Sequence, residues 1–127
     1  MTDLTQTNRE AEMSLVGAMI LDPVCIADVV DVCSGKDYTD RNLGQIHDVI
    51  VGVWSDGREV ERGIVAATVE PWLSDLVTEA YGATGTSVNA RFHAGLIRDA
   101  ATRREIVAEG TVIIGMAKED DLSLIHI

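Results

Sequence analysis

The spacing of its β-branched residues limits most strictly what this chain can fold into. Valine and isoleucine favour strands by shape, yet Ile26, Val29, Val30 and Cys33 stand at i, i+3, i+4 and i+7. That is one face of a helix, not the alternation of a strand. Leu43, Ile46, Ile50, Val53 and Trp54 repeat the pattern. Hydrophobic residues make up 46% of the 127 and aromatics only 4%, so the core is aliphatic and suits helices packed on helices. The expected fold class is all-α, in one domain.

Punctuation residues divide the chain. Residues 1–7 are polar and expected to be a disordered N-terminus. Asn8 reads as the N-cap of a first helix, with Glu10 in its first turn and Ala11, Leu15, Val16, Ala18 and Met19 on its apolar face. Asp22-Pro23 ends that helix and caps a second, which Ser34-Gly35 stops. A third helix spans about Asp40 to Ser55 and closes at Asp56-Gly57. Residues 64–69 could be strand or short helix by themselves; Glu61 ahead of them and the helical neighbours favour a helix.

Pro71 opens a short helix through Trp72, Leu73, Leu76 and Val77, and residues 82–85 break it. With Thr86 or Ser87 as N-cap, a long helix then runs to about Lys118, with Val88, Phe92, Leu96, Ile106, Val107, Ile113 and Ala117 at helical spacing. Gly95, Gly110 and Gly115 weaken it by about 1 kcal/mol each relative to alanine. The expected architecture is a compact head of about four helices over 8–69, then a helical hairpin over 70–121 whose long second arm lacks a partner within the chain.

Charge and chemistry narrow the function classes. A net charge of −11, from 21 acidic and 10 basic residues, repels a phosphate backbone, so direct DNA binding is not expected. Cys25 and Cys33, if on one helix, would be about 12 Å apart in rise, too far for a disulfide. They read as core residues of a cytoplasmic protein. Asp3, Arg9 and Glu10 precede any apolar stretch, unlike a signal peptide, and no run is long enough to span a membrane.

The lone Gly-Lys pair, Gly35-Lys36, is followed by Asp37 where a P-loop needs Ser or Thr. His47, His93 and His126 share no ligand spacing, and His47 reads as a packed side chain of the third helix. No serine stands in a nucleophile-elbow sequence. Asp37 with Asp40 resembles an acid pair, but Asp40 sits where a helix cap belongs. Arg98, Arg103 and Arg104 alternate with Asp99 and Glu105; a solvated charged face or a partner contact fits them. No catalytic, cofactor-binding or metal-binding residue is expected in this chain.

Glu10-Ala11-Glu12, followed by the run from Leu15 through Gly17 to Asp22-Pro23, resembles the opening of DnaB-type replicative helicases. Asp37-Tyr38 is similar to that family's D-F element, and Gly57 with Val60 to its G-x-x-V turn. Asn89, Phe92, Ile97-Arg98-Asp99 and Arg103-Arg104 are similar to its A-N-x-x-Y-Y-x-x-I-x-D-x-x-x-R-R stretch. Together these blocks cover most of residues 8–107. Three departures stand out: Thr39 replaces an aromatic, His47 replaces an apolar residue, and the segment between Val69 and Trp72 lacks a Gly-Gly loop.

The resemblance implies an N-terminal collar domain of a hexameric helicase. It would self-associate through its hairpin and dock primase or a helicase loader, with ATP and magnesium bound by a separate C-terminal motor. Asn89, Phe92, Arg98, Arg103 and Arg104 are the candidate partner contacts it implies. The last six residues, 122–127, resemble the in-frame translation of a transposase mosaic-end adapter, and a reading frame cut short there is the matching expectation. The rival reading is a free-standing helical adaptor or loader-binding protein complete at residue 121.

Overall fold

From residue 11 to residue 20 every side chain is buried except half-buried Ser14. A helix with no polar side over that length must lie at the centre of the molecule. The computed structural model describes the backbone of residues 4–125 and the side chains of 8–116. It contains α1 (Leu4–Leu21), α2 (Ile26–Val29), α3 (Arg41–Ser55), α4 (Arg62–Thr68), α5 (Ser74–Ala83) and α6 (Ala90–Ile125). Single 3-10 turns at Pro23–Cys25, Gly35–Asp37 and Pro71–Leu73 link them, and no strand occurs among the described residues. The described chain is all-α, and of the ambiguous residues 64–69 the first five are helix, with Val69 as the extended C-cap.

α1 is the hub. Both α5 and α6 take it as their main neighbour, and α3 packs on it as well. Leu15, Val16 and Met19 are fully buried against Ile26, Leu43, Ile46 and Ile50. Gly17 sets how closely α5 approaches: a Cβ there would run into the Thr84 hydroxyl and the Ala80 carbonyl. The Thr84 hydroxyl occupies that notch, donating 3.0 Å to Ala80 O and 3.3 Å to Ser14 O.

The caps explain most boundaries. Asp40 accepts from the Asn42 and Leu43 amides at the start of α3, and Glu61 accepts from Gly63 at the start of α4. Gly57, at φ +74, ends the turn after α3 in a conformation that favours glycine.

Four expectations change. α1 begins at Leu4, so Asn8 lies inside it and does not cap it, and only residues 1–3 of the expected disordered stretch fall outside the described residues. Asp22 stands at the N-cap position ahead of Pro23, but its carboxylate makes no cap bond. It accepts 2.8 Å from the Ser87 hydroxyl, tying the first corner to the entry of α6. The second helix ends early, at Val29, before a turn that carries Cys33.

The apolar stripe expected on α6 is also the wrong face. Val88, Phe92 and Leu96 are exposed, while Ala90, Ala94, Ile97 and Ala101 are buried. Small residues let α6 lie close on α1, so the large ones are left outside. The side chains of Ala117, Lys118 and the adapter-like 122–127 lie outside those described.

Two glycine substitutions test this packing. Gly17→Ala should lower stability by about 1–3 kcal/mol through overpacking. Gly95→Ala, where a Cβ meets nothing within 4 Å, should raise it by up to about 1 kcal/mol through helix propensity. Urea midpoints moving in the same direction for both would contradict the close approach at Gly17.

Candidate interaction site

Two buried carboxylates organise the face where α1, α3 and α6 meet. Glu12, on central α1, is 1% exposed. It accepts from the Thr39 amide at 2.9 Å, the Thr39 hydroxyl at 2.6 Å and the Asp40 amide at 2.8 Å. A buried carboxylate is tolerable only when hydrogen-bonded in this way. The result is that the residues entering α3 are pinned to α1.

Asp37, 4% exposed, is the second node. Its carboxylate accepts from the Ser34 amide at 2.9 Å and from Arg98 at 2.8 Å. Its carbonyl accepts from Arg104 at 2.6 Å. Arg98 also lies 3.7 Å from Glu105. Two arginines of α6, six positions apart, thus clasp one residue of the 35–37 turn. Beneath the turn, Gly35 and Gly44 press together so tightly that a Cβ on either would meet the other's carbonyl. The Gly35 amide donates to Asp48 at 2.9 Å.

Tyr38 and His47 form a buried pair, hydroxyl to Nδ1, at 2.8 Å. Burial raises the Tyr38 pKa well above 10, so its hydroxyl stays protonated, and which of the two groups donates follows from the His47 tautomer. The other ring nitrogen of His47, Nε2, is buried and has no hydrogen-bond partner. Burial also lowers the His47 pKa from 6.5 to about 4, against the pull of Asp48 and Asp37. Cys25 and Cys33 are buried free thiols, pushed up by burial to about 11 and about 12. Groups held this way are structural and not reactive.

The candidate contacts therefore divide. Arg98 and Arg104 each make a bond within the chain, to the Asp37 carboxylate and carbonyl, while Arg98 stays partly exposed and Arg104 exposed. Arg103, Asn89 and Phe92 are exposed, as is Glu10. Gly57 serves the turn after α3. Sequence reasoning missed Gly44, Asp48 and Thr84, and it singled out Thr39 and Ser87 without their bonds to Glu12 and Asp22. Only Gly44 carried a signal, since a glycine inside a helix costs stability unless a close contact needs it.

Beyond the clasp, α6 leaves the body. Ile106, Val107, Val112, Ile113, Ile114 and Met116 are each 58–67% exposed. Ile106, Gly110 and Ile113 fall at i, i+4 and i+7, along one line of this arm. Among the described residues no group of three or more His, Cys, Asp or Glu could hold a metal, and no helix is long and apolar enough to cross a membrane.

The family model described as the DnaB-like helicase N-terminal domain matches residues 5–99. The chain belongs to that family. Replicative DNA helicase DnaB of Leifsonia xyli subsp. xyli is 29% identical over 115 residues, covering 84% of this chain and 25% of the relative. The same-named protein of Mycobacterium leprae is 26% identical over 115 residues, covering 82% and 18%. The chain thus spans a quarter or less of the curated relatives it matches. The crystal structure of the N-terminal domain of DnaB helicase from Mycobacterium tuberculosis superposes with a TM-score of 0.78 at 22% identity, covering 86% of this chain and 84% of that one, and so shares its fold.

Within this DnaB-like domain the clasp and the buried pair give separate tests. Asp37→Asn should cost about 1–3 kcal/mol, with amide exchange rising first around residues 34–38 and 98–104. Exchange unchanged there would show that the clasp does not hold α6. For His47 the folded pKa lies below the unfolded value of 6.5, so the unfolded chain binds the extra proton. The neutral ring's contribution is full above pH 6.5 and is lost as pH falls toward about 4, on the order of 3 kcal/mol in all. His47→Phe should therefore flatten the decline of the urea midpoint between about pH 6.5 and about pH 4; parallel curves for the two proteins would refute this.

Proposed function

We propose that this chain is the N-terminal assembly domain of a replicative DNA helicase, self-associating through the distal arm of α6 and offering a docking surface to primase or a helicase loader. One observation carries the reading. An acidic, otherwise well-packed domain presents a helical arm with six large apolar side chains more than half exposed. Such a band marks a protein interface. Gly110 lies within it, where a Cβ would meet nothing, so a second helix can approach the backbone closely. Family membership and the helicase names of the relatives support the same reading.

Unwinding, and the ATP and magnesium it uses, belong in this reading to a separate motor domain of a cytoplasmic replisome protein. The Gly35-Lys36 pair is not the phosphate-binding loop of such a motor. It lies in a 3-10 turn, not in a loop between strand and helix, and the Asp37 carboxylate after it is taken up by Arg98.

Sedimentation equilibrium tests the assembly role. The chain should form dimers or larger species, and Ile106→Glu with Ile113→Glu should return it to monomer without moving the urea midpoint of the body. A wild-type chain that stays monomeric at high concentration, and binds neither a cognate primase C-terminal domain nor a loader, would sink the proposal.

A further inference from the structure

A cleft of about 650 Å3 opens between the 35–37 turn, the first turns of α3 and the flank of α6. Its walls carry Lys36, Arg41 and Arg104, three of the chain's ten basic residues, against one carboxylate, Asp48. In a protein of net charge −11 this concentrates positive potential in a concave site, where field lines focus. The charges are not neutralised from within. Among the described residues no carboxylate oxygen lies within 4.0 Å of any of the three cations. Asp48 is itself engaged by the Gly35 amide.

We propose that this cleft binds a small phosphate-bearing anion of two or more negative charges, held between Lys36, Arg41 and Arg104. Three observations support this. First, the cations come from three separate elements, which suits the several oxygens of a tetrahedral group better than the two of a planar carboxylate. Second, Arg104 is placed in advance: one of its nitrogens is fixed on the Asp37 carbonyl, leaving further N–H donors for a ligand and reducing the ordering cost of binding. Third, the volume lies in the range of small-molecule sites, and the abutting Gly35 and Gly44 put no side chain into it. Because Arg104 also belongs to the Asp37 clasp, an occupant of the cleft and the anchoring of α6 share one side chain.

The site stands independently of the helicase assignment. Titrating the chain with pyrophosphate, against chloride at matched ionic strength, tests it by NMR. Saturable shifts are expected at the Gly35 and Gly44 amides and the Arg104 guanidinium. Lys36→Gln with Arg41→Gln, both exposed positions, should weaken binding at least about tenfold while leaving the urea midpoint in place. No saturable shift, shifts indifferent to the double variant, or equal affinity for succinate would each overturn the proposal.

Discussion

A carboxylate inside the central helix is the constraint on which the rest of this domain depends. Residues 11–20 of α1 are enclosed on all sides, and an aliphatic helix so enclosed could slide or rotate against its neighbours at little cost. Glu12 removes that freedom. A buried carboxylate left without partners is prohibitively costly, and its partners here are two amides and a hydroxyl at fixed positions in the 39–40 segment. The polar group therefore sets the register in which the apolar ones pack. Asp40, held through its amide by Glu12, turns its own carboxylate to the first amides of α3 and to Arg9.

The same logic extends to α6. Its buried stripe is mostly alanine, which permits a close approach but gives little apolar area per residue. Position along such a stripe is weakly specified by packing alone. Arg98 and Arg104 supply what the alanines do not, reaching one residue of a turn that is itself fixed by the Gly35–Gly44 contact and by Asp48. Arg98 is 39% exposed, so the pair's net strength is modest; its geometric effect is to fix where α6 leaves the body.

Helix content, the cap at Asp40, the corner at Pro23 and the glycine turn at Gly57 were legible because they rest on local chemistry. Glu12, Gly17, Asp37 and Tyr38 were marked only by resemblance to a family, since nothing near them in the chain names their partners. Glu12 bonds to residues 27 and 28 positions away, and Asp37 to one 61 positions away. Periodicity failed on α6 for a related reason. It weighs large apolar residues most, so it chose the Val88–Phe92–Leu96 face, whereas a close helix contact selects small ones. The bonds of Arg98 and Arg104 to Asp37 were illegible too, because alternation with Asp99 and Glu105 looks the same whether the guanidinium faces water or a turn.

These features together bear on why the arm stays exposed. Up to Ala101 the stripe that faces the body is small, and the last fixed points are Arg98 and Arg104. From Ile106 onward large aliphatic residues replace the alanines, too bulky for the spacing α1 accepts and beyond the reach of its neighbours. The switch from small to large falls next to the clasp. A helix that meant only to end the domain would turn polar there, as solvent-facing helices do. This one instead becomes more apolar where intrachain cover stops, and the clasp holds that surface at a defined angle to the body, which is what a symmetric contact with a second copy requires.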